Sequence, residues 1–111
     1  MLKASQVCDI CHHLLIVPKS STVILCKAID IDQFVKALLD RNQNLIYDKT
    51  TRTIKNRENS AKVRFFTGAN LVDTKGIKCE NAFYVCDLDS DRLEACIPNF
   101  KNTFCFNPVE E

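Results

Sequence analysis

Residues 7–18, VCDICHHLLIVP, constrain the fold more than any other stretch of the chain. Two cysteines two residues apart, followed by two histidines, admit two physically different structures. A tight turn can aim both thiolates at one tetrahedral metal ion. Alternatively, the thiols bury as small apolar groups on one face of a helix. Helical spacing favours burial: Ala4, Val7, Cys8, Cys11, Leu14 and Leu15 recur at i, i+3, i+4 and i+7, and Pro18 ends the face. In that reading His12 and His13 point to solvent. The two-residue spacer favours the metal, so the sequence leaves both structures standing.

The rest of the chain mixes strand and helix signals. Residues 23–29, VILCKAI, are β-branched and apolar, which suits a buried strand. A helix is expected next, with Asp30 or Asp32 at its start and Ile31, Phe34, Val35, Leu38 and Leu39 at helical spacing. The polar, basic residues 48–64 read as a hairpin or loop joining residues 45–47 to 63–66. Residues 81–86 read as a strand, 89–96 as a short helical turn stopped by Pro98, and 103–106 as a last strand. Strands and helices do not alternate regularly, so the expected class is α+β. Residues 1–111 would form one small domain with a few short strands and two or three helices, stabilised by zinc if the knuckle forms.

Composition narrows the function classes. A 111-residue chain that is 46% apolar and 26% charged has the make-up of one globular domain and not of a disordered one. Its net charge of +1 predicts no chain-wide attraction to nucleic acid or to an anionic membrane. The apolar runs 14–17 and 23–26 are too short to cross a bilayer. No secretory signal is visible, so an intracellular protein of cytoplasm or nucleus with reduced thiols is expected. The count of seven cysteines is odd, which leaves at least one without an intramolecular partner. Gly68 and Gly76 are the only glycines, which excludes a glycine-rich phosphate loop. The alternating carboxylates Asp87, Asp89 and Asp91 lack the glycine and distal glutamate of a calcium loop. No carboxylates pair for acid–base work, and no activity is expected.

Cys8, Ile10, Cys11, Leu14, Leu15 and Pro18 match the pattern C-x-I-C-x-x-L-L-x-x-P, and on these residues the chain resembles the opening of a RING finger. The resemblance spans residues 8–39 and is densest over 8–18. It implies that Cys8 and Cys11 bind zinc, that Ile10 contacts a ubiquitin-conjugating enzyme, and that Cys26 stands near the third cysteine position. A RING finger would place further ligands near Ala28, Ile31 and Phe34, where this chain has none, so ubiquitin-ligase activity is not expected. Completing zinc ligands would come from Cys79 and Cys86, with His13 and Cys26 as nearer alternatives.

A second set of candidates lies between residues 49 and 64. Lys49, Arg52, Lys55, Arg57, Lys62 and Arg64 face only Glu58 in this stretch. Thr50, Thr51, Thr53, Asn56 and Asn59 add neutral donors for phosphate oxygens, and Tyr47, Phe65 and Phe66 could stack on bases. Two function classes follow. The first is a protein-binding domain, with one structural zinc if the knuckle forms, that uses an apolar patch at Ile10, Leu14 and Leu15 on a protein partner or a second copy. The alternative is a nucleic-acid-binding protein that uses the basic segment.

Overall fold

The computed structural model describes residues 1–67, 79–85, 88 and 100–109. Along these residues the elements run β1 (Leu2–Lys3), α1 (Ala4–Ile16), β2 (Ser21–Leu25), α2 (Ala28–Leu39), β3 (Leu45–Asp48), β4 (Thr53–Asn56), β5 (Lys62–Phe66), β6 (Cys79–Val85) and β7 (Phe100–Asn107). The strands form one mixed sheet in the order β1-β7-β6-β2-β5-β4-β3. With two helices on a seven-stranded sheet among the described residues, the molecule is the small α+β domain expected from the sequence.

The burial of residues 22–25 follows from this order. β2 lies between parallel β5 and parallel β6, so its backbone is hydrogen-bonded on both edges. Both of its faces are covered, which accounts for the apolar run Val23-Ile24-Leu25, with Thr22 as a buried polar exception. Ile24 points into the larger core, where Phe65, Phe83 and Phe106 meet Val7, Cys11 and Leu15 of α1 and Ile31, Phe34 and Leu38 of α2. Phe34 packs edge-on against Phe106 with ring centroids 5.5 Å apart, and tilted against Phe65 at 6.3 Å. Val23 and Leu25 point the other way, into a smaller cluster with Phe66, Ala82 and Phe100. Both helices therefore cover the same face of the sheet.

Helix α2 starts at Ala28, ahead of both carboxylates proposed as caps. Lys27 is its N-cap and makes no side-chain cap bond, while Asp30 sits in the first turn, where its charge complements the helix dipole. The basic stretch is more ordered than a single hairpin. β3 pairs antiparallel with β4, and β4 pairs antiparallel with β5, giving a three-stranded meander at one end of the sheet. The expected strands at 81–86 and 103–106 correspond to β6 and the longer β7. The turn expected at 89–96 lies outside the described residues. Among the described residues no helix is long and apolar enough to cross a membrane.

β1, β7, β6, β2 and β5 all run parallel. Their carboxyl ends, at Lys3, Asn107, Val85, Leu25 and Phe66, therefore share one edge of the sheet. In open sheets of this kind, ligands collect outside the carboxyl ends, where the strand order reverses. Here the chain passes from β2 to β5 on one side and then back to β6 on the other.

Candidate functional site

The cysteine–histidine segment resolves as helix. Cys8 and Cys11 lie one turn apart on the buried face of α1, 6% and 0% exposed, with Val7 and Leu15 beside them. Burial, and secondarily the neighbouring Cys8, holds the Cys11 thiol far above its ordinary range, which favours the neutral thiol over the thiolate that zinc requires. Cys26 is buried at the end of β2 and is pushed up to about 12 by burial and Asp30, against an opposing pull from Arg52. Cys79 is half-buried, raised to about 11 by burial and Glu80, with its thiol 3.6 Å from the carbonyl oxygen of Asn81. His13 is exposed at the end of α1, and Cys86 lies outside the described residues. Among the described residues no three His, Cys, Asp or Glu side chains come together to hold a metal ion.

The apolar contact set on α1 is divided by the same geometry. Leu15 is fully buried, Leu14 is half-buried, and Ile10 is 36% exposed. The large exposed apolar side chains near them are Ile16 and Val17, at the end of the helix.

The basic candidates do come together, in part. In the β4–β5 register Lys55 stands directly opposite Lys62, and Thr53 opposite Arg64. Side chains at directly opposed positions point to the same side, as do residues two apart on one strand. Lys55, Lys62 and Arg64 therefore share the sheet face that carries no described helix. Opposed side chains have Cβ atoms about 5 Å apart, and neither lysine forms a salt bridge among the described residues. The guanidinium of Arg64 lies over the Phe66 ring, 4.7 Å from its centroid.

Lys49 and Arg52 flank the β3–β4 turn, beside Arg64 on the carboxyl edge of the sheet, where a cavity of about 370 Å³ opens between them. Arg57 belongs to the other end of the meander, its N–H donating to the Asn44 carbonyl at 3.0 Å.

Several neutral candidates have structural work instead. Asn56 and Asn59 donate their side-chain amides to the Leu15 carbonyl at 2.8 and 3.0 Å, and Asn59 also reaches the Ile16 carbonyl at 3.0 Å. They satisfy carbonyls that the end of α1 leaves without helical partners. Thr53 is buried and donates to the Thr51 carbonyl. Phe65 and Phe66 are 1% and 3% exposed, so they are not open platforms for bases. The stacking of Arg64 on Phe66 was not foreseen, although the alternate placing of Lys62, Arg64 and Phe66 along one strand signals a shared face.

A second cavity of about 390 Å³ opens at the carboxyl ends of β6 and β7, lined by Lys27, Asp30, Val85, Asn107 and Pro108 among others. A third, of about 430 Å³, lies between the helices beside Ser5, Cys8, Gln33 and Arg41.

No family model and no curated protein matches the chain. Among solved structures it is similar to the large terminase ATPase domain of Thermus phage P74-26 (TM-score 0.53, 8% identity, covering 99% of this chain and 60% of that one). A point-mutant form of the same domain gives a TM-score of 0.56 at 10% identity, covering 97% of this chain and 59% of that one. The chain thus spans about three fifths of these domains, and at such identities the likeness is one of fold. It also corrects the description of this chain as a zinc-binding, metal-binding, RING-like domain. The solved structures it resembles are ATPase-type sheets, and its leading cysteine pair lies in a core helix without a ligand group among the described residues.

Proposed function

We propose that this chain binds nucleic acid through the phosphate backbone, with the β3–β5 meander as its contact surface. The observation that carries this reading is the unneutralised pair Lys55 and Lys62, opposed across two strands, with Arg64 next along the same face. Like charges directly opposed destabilise a sheet. A polyanion laid along the meander turns that repulsion into attraction and releases its own counterions. The fold likeness to a terminase ATPase domain supports a phosphate-bearing ligand. No catalytic step is assigned here. Lys3 ends β1 and Ala4 begins α1 with no residue between them, so this junction has no room for a phosphate loop.

The test is binding of a short duplex, followed by fluorescence anisotropy from about 50 to 200 mM salt. The double variant Lys55→Ala with Lys62→Ala is expected to weaken binding for every sequence and to flatten the log–log salt slope by about two. An unchanged slope sinks the reading. Salt-insensitive association with a protein instead would favour the exposed Ile10, Ile16 and Val17 as a protein-binding surface. The cavity at the ends of β6 and β7 favours a second reading, in which a nucleotide sits beside Lys27 and Asn107. Equilibrium dialysis with a nucleotide, weakened by Lys27→Ala, distinguishes that case.

A further inference from the structure

The turn between β3 and β4 borders a polar cavity that backbone binding through Lys55 and Lys62 does not require. Lys49, Thr50, Thr51, Arg52 and Arg64 line it, together with residues 65 and 66 at the end of β5. Three of these side chains are cationic, two carry hydroxyls and none is acidic. Asp48, the acid next to them in sequence, accepts the Thr50 N–H at 2.9 Å and so builds the turn.

Two features mark the cavity as constructed. Arg64 lies over the Phe66 ring, yet its Nε is buried without a hydrogen-bond partner. A buried donor left unmade is uncommon in native proteins and marks a place where a missing partner belongs. Arg52 adopts a left-handed backbone conformation, φ 51°, which disfavours any residue with a side chain. Its carbonyl is fixed there by the Phe65 N–H at 2.9 Å. This contact ties the turn to the end of β5 and sets Arg52 beside Arg64.

We infer that this cavity is a phosphate-binding site, in which Arg64, Lys49 and the Thr50 and Thr51 hydroxyls hold one phosphate group. Arginine presents a planar fork that matches two oxygens of an oxyanion, and its stacking on Phe66 fixes that fork before the ligand arrives. Lysine adds a point charge, and the hydroxyls donate to the remaining oxygens. The inference shares its ligand chemistry with the nucleic-acid reading and rests on that reading only for the source of the phosphate. It goes further in assigning a discrete site, at the edge of the sheet, to a single group.

Inorganic phosphate is the first probe, titrated at constant ionic strength against chloride while amide and arginine Nε resonances are followed by NMR. Saturable shifts are expected at Thr50, Thr51, Arg52 and Arg64. Arg64→Gln should weaken the site by about tenfold or more, as loss of a charge-assisted fork does. Thr51→Val gives an independent check if Arg64→Gln fails to fold. Lys55→Ala with Lys62→Ala should leave phosphate affinity within about twofold, since those lysines act through screened, longer-range attraction. Shifts that do not saturate, or equal affinity in Arg64→Gln or Thr51→Val and the wild type, overturn the site. Oligonucleotides with and without a 5′-phosphate then separate a strand end from free phosphate as its source. Saturable phosphate binding without any duplex binding would end the backbone reading and leave this one standing. Duplex binding without the phosphate site would do the reverse.

Discussion

At the scale of single residues, the cysteines show how one spacing can serve two structures. A pair at i and i+3 suits a metal turn and also one face of a helix, and nothing local separates the two. The periodicity of Ala4, Val7, Cys8, Cys11 and Leu15 was the better guide, because burial acts on the whole face while a knuckle needs ligands from elsewhere. Metal chelators are therefore expected to leave the melting temperature unchanged, whereas Cys11→Ser should cost about 1–3 kcal/mol in chemical denaturation by burying a hydroxyl without a partner. Cys26 provides a pH test. Its folded value is raised from 9.0 to about 12, so folding favours the protonated thiol. The stabilisation is complete below pH 9 and is lost as pH rises from there towards 12. Within that window each such thiol steepens the loss by up to about 1.4 kcal/mol per pH unit. Urea denaturation at rising pH should show this slope, and Cys26→Ala should flatten it relative to wild type. Equal slopes would mean that the thiol ionises as freely folded as unfolded.

At the scale of elements, the end of α1 and the start of the β4–β5 turn depend on each other. Asn56 is 4% exposed, donates to the Leu15 carbonyl and accepts the Glu58 N–H at 2.9 Å. One side chain thus closes a turn and a helix end that lie 41 residues apart in sequence. Asn56→Ala should cost about 1–3 kcal/mol, because it removes the buried donor to the Leu15 carbonyl, which keeps only Asn59, and takes the acceptor from the Glu58 N–H. Asn59→Ala should cost less, since the Asn59 amide lies nearer solvent. Denaturant midpoints of the two variants check the order, and a larger loss at Asn59 would contradict it. The sequence shows asparagines at turn spacing but not a partner so distant, and so their amides looked available to phosphate. β4 was hidden for a related reason. Thr53-Ile54-Lys55-Asn56 is short and polar, and Ile54, in the helix-side core, is its one large apolar side chain. Helix α2 was legible because five apolar residues repeat over its own length and need no distant partner to be recognised.

At the scale of the whole molecule, the α+β class was readable from the mixture of strand and helix signals, but the strand order was not. β2 pairs with β5 and β6 through contacts that span some forty to sixty positions, and local propensity carries no record of such pairings. That order also sets how stability and charge are distributed. Six of the fifteen cationic residues and one of the fourteen acidic residues fall between 49 and 64, so a nearly neutral chain carries a basic end. This end is the meander, and β3 is its outermost strand, paired on one edge only. The opposite end is also thin, because β1 contributes just two residues beside β7. Protection against local opening should therefore rise from both edges towards β2, whose neighbours on both sides are themselves paired. Native-state hydrogen exchange is expected to show the slowest amides at residues 23–25 and the fastest sheet amides at residues 45–48. Saturating polyanion should then slow exchange at β4 and β5 more than at β2, since a ligand protects the openings that would release it. Uniform slowing across the sheet would instead mean that the ligand is held by the fold as a whole and not by its basic end.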